Sequence, residues 1–392
     1  MTSTMTRLSA AAAAGMFLFG ISNALLGAVL PLLAARLGFS LAQSGTLFLV
    51  LNFGVLVSVL ALGPVVDRWG MKAAMVAGHF IVAAAIWLTS AAPSYRALVA
   101  AAFVLGLGGG ALNVATNTLT ADLHADTRRK SAALNLLGAF FGLGALLIPL
   151  GLGALVTRAG LDAILRTVAF QCALAGLYPL ALAFPAPKHA EHGPTSHGLR
   201  LIRMPVVVVT AMLLFFQSGN EITVAGYATT YLIREIGASV GAASWALTIL
   251  WISVIVARIA LLRVALLVPG RRIVLAGAAL AALGALLLLA AGSFATAVTA
   301  LIIIGAGMAG TFPTTLGMAG ALFKERSGSV FGILLMTSRL GAMLVPYAAG
   351  QLAEAAGLRA ALWMVVGGAA ATFALELVRA RQAATYISNC RT

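Results

Sequence analysis

Long apolar runs separated by short polar stretches make up nearly the whole chain. A helix needs about 20 apolar residues to cross the hydrocarbon core of a bilayer. Cutting the runs where charges or Gly, Pro and Ser cluster gives 9–35, 42–63, 73–92, 96–121, 131–156 and 163–184 in the first half. The second half gives 204–233, 240–262, 272–291, 294–322, 328–352 and 358–378. The pattern predicts an all-α membrane protein with twelve transmembrane helices. The narrowest cut is at Ala291, Gly292 and Ser293, which alone separate the ninth span from the tenth. The first run continues to Ala35, too long for the apolar core of a cleaved signal peptide.

Composition agrees with this reading. The 392 residues are 61% hydrophobic and 9% charged, whereas a soluble domain is about 25% charged. A soluble enzyme, a disordered chain and a disulfide scaffold are excluded. The net charge of +15 would suggest nucleic acid in a soluble protein, so the positions of the charges decide. With the N-terminus placed in the cytoplasm and the spans alternating, 17 of the 25 Lys and Arg fall on the cytoplasmic side and six on the other. Arg258 and Arg339 remain inside spans. This bias puts both termini in the cytoplasm. It implies a bilayer environment, not a nucleic-acid partner, and a bacterial-type cytoplasmic (inner) membrane. An odd number of spans would break the alternation.

The longest polar stretch, 185–203, divides a six-helix half at 1–184 from a second at 204–392. It carries His189, His192 and His197 without paired metal-ligand spacing, and reads as a flexible cytoplasmic linker. The halves look like repeats. Adding 199 to Gly20, Gly38, Ser40, Gly78, Gly106, Gly108 and Gly142 reaches Gly219, Gly237, Ser239, Gly277, Gly305, Gly307 and Gly341. Parallel six-helix halves joined by a linker are an architecture of secondary transporters.

The loop after the second span reads GPVVDRWGMK, with Gly63, Asp67, Arg68, Gly70 and Lys72 at its fixed positions. It resembles the major facilitator superfamily signature G-x-x-x-D-R-x-G-x-[KR], and it lies between the second and third spans, as in that family. Asp67 suits helix-end N–H groups and a neighbouring Arg, and Gly70 suits a tight reversal. The resemblance implies a conformational latch at these five residues. The matching stretch of the second half, 263–272, keeps the basic residues but lacks the Asp, so its latch is degenerate. Within the superfamily, three segments are similar to the fucose-permease-like sugar:proton symporters. They are Gly108 to Asn117 in the fourth span, Leu134 and Asn135 onward in the fifth, and Gln217 to Tyr231 in the seventh. The group's functional acids in the first and fourth spans fall at Gly27 and Asn113 here. Neither residue can carry a proton, so that coupling scheme does not transfer.

Of ten acids, Glu221 alone falls midway along a span. A charge there costs at least about 2.5 kcal/mol and faces a bundle interior or a wet cavity. Glu376 and Arg379 read as a surface i,i+3 pair at the end of the twelfth span. Arg339, mid-way along the eleventh span, needs a partner because it stays charged. The resemblance implies adjacent seventh and eleventh spans, which would bring Glu221 to Arg339. That pair reads either as a structural ion pair or as a substrate and proton site. Arg258 reads as snorkelling to the cytoplasmic face, against a gating role. In the family, a central cavity is lined by the first, fourth, seventh and tenth spans with help from their neighbours. The candidates for it are Asn23, Asn52, Asn113, Asn117, Asn135, Gln217, Asn220, Glu221, Tyr227, Trp251 and Arg339. Amides and a carboxylate match sugar hydroxyls, and Trp or Tyr rings match a pyranose face.

Pro313 interrupts the tenth span after Gly305, Gly307 and Gly310, which suits either a bending gate or a static kink. No nucleotide-binding loop, metal motif or redox motif occurs, so no cofactor is expected. The expectation is a monomeric secondary transporter for a small-molecule substrate, most simply a sugar, with a proton or sodium as coupling ion. An exporter of drugs or organic anions, with Arg339 as the anion contact, is the alternative. A membrane sensor or enzyme is a distant third, since there is no soluble domain or catalytic cluster.

Overall fold

The computed structural model describes residues 3–124, 127–185, 201, 203–323 and 327–389. Its helices are α1 (Ser3–Leu37), α2 (Leu41–Ala91), α3 (Tyr95–Leu123), α4 (Thr127–Leu180), α5 (Pro205–Arg234), α6 (Val240–Leu267), α7 (Gly270–Leu289), α8 (Phe294–Met308), α9 (Thr311–Leu322), α10 (Ser327–Ala356) and α11 (Leu358–Asn389). Two of them are pairs of crossings joined through one glycine. Gly70 in α2 has φ 78° and Gly160 in α4 has φ 73°. A straight helix of the 54 residues in α4 would reach about 80 Å, far more than a bilayer, and Gly160 breaks it. Conversely, α8 and α9 share one crossing, Phe294–Leu322. Counted this way, the described residues contain the twelve crossings the apolar pattern predicts. The narrow cut near residue 291 is real: Ser293 caps α8, accepting from the Thr296 amide at 3.2 Å.

The chain forms two compact units. One comprises Met1–Glu191 with Ser239–Thr248, the other His192–Ala238 with Ile249–Thr392. In the first, α1 packs on α4 and α3, and α2 on α3. In the second, α5 packs on α10 and α11, and α7 on α8 and α11. The linker stretch 186–200 lies outside the described residues.

The repeat is visible in the caps. Ser40 and Ser94 cap the helices that follow them, and Ser239 and Ser293, each 199 residues on, do the same. A Ser cap is worth about 1 kcal/mol per helix. Gly38 and Gly237, just before two of these caps, both have positive φ.

The repeat is also visible where helices cross. Gly106 leaves room only for the carbonyl of Leu51, and Gly305 only for that of Leu250. Gly108 lies on the backbone at Val82, and Gly307 on that at Ala281. Missing side chains let backbones approach, which is how helices associate without a hydrophobic drive in lipid.

The constant offset does not persist. Gly144 faces the carbonyl of Phe17 and Gly341 faces that of Phe215, an offset of 197. Gly160 and Gly357, both with positive φ, keep it. The pairing of Gly142 with Gly341 read from the sequence is therefore corrected to Gly144. The equivalent residue is the one that faces the neighbouring backbone, and the second half is two residues shorter between its fourth and fifth crossings.

One matched pair of positions has exchanged charges. Arg36 binds Asp162 at 2.8 Å and donates to the carbonyls of Ser90 and Thr89 at the end of α2. At the equivalent positions Glu235 meets Arg359 at 3.2 Å. Each pair ties the first crossing of its unit to the start of the sixth.

Two other polar contacts act at helix ends or inside the second unit. Lys72 donates to the carbonyls of Leu180 and Leu182 at 2.8 and 2.9 Å, where a cation suits the negative end of α4. The Glu376–Arg379 pair departs from the sequence reading. The helix continues ten residues past Arg379 to Asn389, so the pair is not terminal, and it is buried. Arg379 holds both carboxylate oxygens of Glu376 at 2.6 Å and also donates to Met318 Sδ at 3.2 Å.

Two stability predictions follow from this packing. Gly106→Leu should lower the melting temperature of the purified protein by the equivalent of at least about 1–3 kcal/mol. Gly367→Ala, with open space beside it, should be neutral or slightly stabilising. Glu376→Ala strands Arg379 in the interior and should cost about 3–5 kcal/mol. The double change Glu376→Leu with Arg379→Met should cost clearly less. Thermal unfolding in one detergent checks all four variants.

Candidate functional site

The candidate site lies on α5, near its middle. Gln217 and Glu221 are one turn apart and share a face, which continues through Val224 and Ala225. Asn220 is rotated about 100° from Glu221 and begins a second face with Thr223, Tyr227 and Tyr231. The two faces have different roles.

Glu221, Val224 and Ala225 line a small cavity with Leu250, Trp251 and Val254 of α6 and Gly305 and Met308 of α8. Its volume is about 10 Å³, on the order of one water. The surface that lines it is apolar. Two cations act on the Glu221 carboxylate, Arg258 from α6 first and Arg339 from α10 second. The three groups carry a formal charge of +1. Glu221 and Arg339 therefore interact electrostatically, and Trp251 lines the cavity with Glu221.

Arg258 is the residue the sequence reading misplaced. Rather than running to the cytoplasmic face, its Nε donates to the Ala309 carbonyl at 3.4 Å, beside the break between α8 and α9. A signal for this was present in the sequence. Pro313 lacks the N–H that would bond Ala309, four residues back, and an Arg inside a span needs a partner.

Several candidates are engaged in helix packing. Gln217 donates to the Met308 carbonyl at 3.2 Å. Asn220 donates to the Val365 carbonyl at 3.2 Å, and Gly368 gives its amide the room to do so. Tyr227 donates to the Pro346 carbonyl at 3.2 Å. With Thr223, Tyr231 and Leu358 it lines a second small cavity on the other face.

The first unit holds the remaining candidates. Asn117 donates to both the side-chain and the main-chain oxygen of Asn113 at 2.8 Å. Asn23 bonds the Phe19 carbonyl in its own helix at 3.3 Å. Asn113, Asn117 and Asn23 are all half-buried. The side chain of Asn135 lies outside the described residues. The same holds for the side chains of Asp67 and Arg68 in the latch motif and for the surroundings of Gly63, whereas Gly70 and Lys72 are described in full.

Comparison with known proteins gives a consistent picture. Solved structures share the fold across nearly the full chain. The D-xylose–proton symporter has a TM-score of 0.80 at 16% identity, covering 96% of this chain and 97% of that one. The nucleoside transporter NupG has 0.78 at 14%, covering 97% and 100%. The fucose:proton symporter FucP of E. coli has 0.68 at 20%, covering 96% and 99%. Two sequence relatives match over shorter stretches. The 4-hydroxybenzoate transporter PcaK of Pseudomonas aeruginosa is 29% identical over 129 residues, 33% of this chain and 29% of the relative. Myo-inositol transporter 2 of Cryptococcus neoformans is 33% identical over 114 residues, 28% of this chain and 20% of the relative. The matched stretch thus spans less than a third of either relative. The family model of the Major Facilitator Superfamily matches residues 12–222 and 209–385. With both halves matched, the chain belongs to the major facilitator superfamily.

Proposed function

We propose that this superfamily transporter moves a small polar solute by alternating access, with a sugar or sugar-like polyol as cargo and proton coupling through Glu221. The observation that carries this is the acid itself. Glu221 lies half-buried in mid-helix on a cavity wall, with Arg258 and Arg339 as its counter-charges. A carboxyl held there costs several kcal/mol, and a structural role alone does not need it beside a cavity. A carboxyl can gain and lose a proton, whereas the arginines stay charged. The named cargo of the xylose, fucose and myo-inositol transporters is in keeping with a polyol. The setting is a cytoplasmic membrane, with both termini on the cytoplasmic side and the monomer as the working unit.

One observation favours a second reading. The charge of +1 and the apolar wall beside Trp251 suit an aromatic or other organic carboxylate, the cargo named for the hydroxybenzoate relative. An anionic cargo would pair with the arginines and stack on the indole.

Uptake into proteoliposomes with and without an imposed proton gradient separates the two. On the first reading, pentoses, hexoses or inositols accumulate when a gradient is imposed. Glu221→Gln then abolishes gradient-driven accumulation, by tenfold or more, while downhill exchange persists. Retention of full gradient dependence by Glu221→Gln would end the coupling assignment. On the second reading, benzoate-type carboxylates are carried and polyols are not. Arg339→Gln should then raise KM about tenfold or more, the scale of one charge-assisted hydrogen bond.

A further inference from the structure

The tenth crossing breaks at Ala309 and Gly310, between α8 and α9. Pro313 explains why. It supplies no N–H, so the Ala309 carbonyl loses its helical donor. Within a bilayer, such a group must be satisfied by the protein. Arg258 satisfies it from α6, and Gln217 from α5 takes the adjoining Met308 carbonyl. The break is therefore held by two side chains from two other helices. A cation at this point also meets the negative end of α8.

Both supports are neighbours of Glu221. Gln217 is one turn away on the same helix, and Met308 lines the cavity that Glu221 lines. The charges that face Glu221 are Arg258 from α6 and Arg339 from α10. Of the other elements packed on α5, α11 presents the Val365 carbonyl and Gly368 to Asn220, and α8 presents Gly305 and Met308 to the cavity. Arg258 thus stands in two relationships at once, holding a backbone carbonyl and balancing a carboxylate.

We propose that Arg258 is a positioning residue that couples the charge on Glu221 to the break in the tenth crossing. With Glu221 ionised, Arg258 has its counter-charge while it holds Ala309. With Glu221 neutral, Arg258 loses that counter-charge. An arginine side chain within a span that lacks a counter-charge runs toward water, so Arg258 leaves the carbonyl, and the break loosens at the bond that Pro313 leaves weakest. The use of this link in transport rests on the proposed function, that Glu221 changes charge during the cycle; the link itself does not.

Hydrogen exchange on the full-length protein in lipid nanodiscs tests this, read on peptides covering residues 305–316. Glu221→Gln and Arg258→Gln should each speed exchange there by about fivefold, the population change that losing one such hydrogen bond brings. Pro313→Ala restores a donor to Ala309, so Glu221→Gln in that background should give no acceleration. If Glu221→Gln leaves the segment as in the wild type, the coupling is overturned, whether or not Arg258→Gln speeds it. If Arg258→Gln does not fold, Glu221→Gln with and without Pro313→Ala carries the test. Equal acceleration in both backgrounds would then overturn the proposal. Faster exchange in Glu221→Gln together with proton-dependent transport unchanged from the wild type would leave this inference standing and remove the coupling role of Glu221.

Discussion

A backbone carbonyl or a charge inside hydrocarbon has no water to fall back on, so its partner must come from the chain itself. The polar interior of this protein is organised by that requirement. Pro313 opens a carbonyl, and an arginine from another helix closes it. Asn220 and Tyr227 each give their polar group to the backbone of a neighbouring helix. Tyr231 does the same to Leu288. These side chains look like a ligand shell when read along the sequence, yet in three dimensions they tie helices together. What stays beside the cavity, the Glu221 carboxyl with its two arginines, is a small set with a defined charge.

The two units share a scaffold but not a chemistry. Equivalent glycines let equivalent helices cross, and equivalent serines start equivalent helices. The clamp at Arg36 and Asp162 survives in the second unit with its charges exchanged. What the clamp requires is opposite charge at two places, and either order satisfies it. The mid-helix acid has no such symmetry. Adding 199 to Ser22 gives Glu221, and Ser22 bonds the Leu18 carbonyl one turn back. The first unit thus keeps a neutral, self-satisfied residue where the second keeps a carboxylate.

Much of this was legible in the sequence, for physical reasons. The length of an apolar run is dictated by bilayer thickness, so the twelve crossings could be counted. Glycine and serine serve backbone geometry, so their spacing revealed the repeat. Glu221 stood out because a mid-span acid is costly. The partners of the amides were not legible. A helical wheel shows that Asn220 and Glu221 face different ways, but not which carbonyl Gln217 or Asn220 will meet. Glu376 and Arg379 were read as terminal because the apolar run ends near residue 378, whereas the helix continues as a polar extension. Arg258 was misread because a long side chain near a membrane face has two outlets. Only the open carbonyl at Ala309, a consequence of a proline 55 residues further along, decides between them.

That decision changes what the site can recognise. If Gln217 and Asn220 faced the cavity, the wall would offer a row of neutral donors and acceptors, and selectivity would follow the stereochemistry of hydroxyl groups. With both committed to backbone carbonyls, the small cavity beside Glu221 keeps an apolar lining that includes Trp251, and on the proposed reading solutes are told apart there by charge and apolar contact. Neutral and anionic solutes then place different demands on the same three charged groups. A neutral solute leaves the balance of one acid against two cations as it is. An anion supplies the missing negative charge and competes with Glu221 for the arginines. Because one of those arginines also supports the break in the tenth crossing, any competition for its charge is felt at the bend. In the proposed transporter, recognition and conformational change therefore meet at Arg258, where one guanidinium serves a carboxylate and a carbonyl.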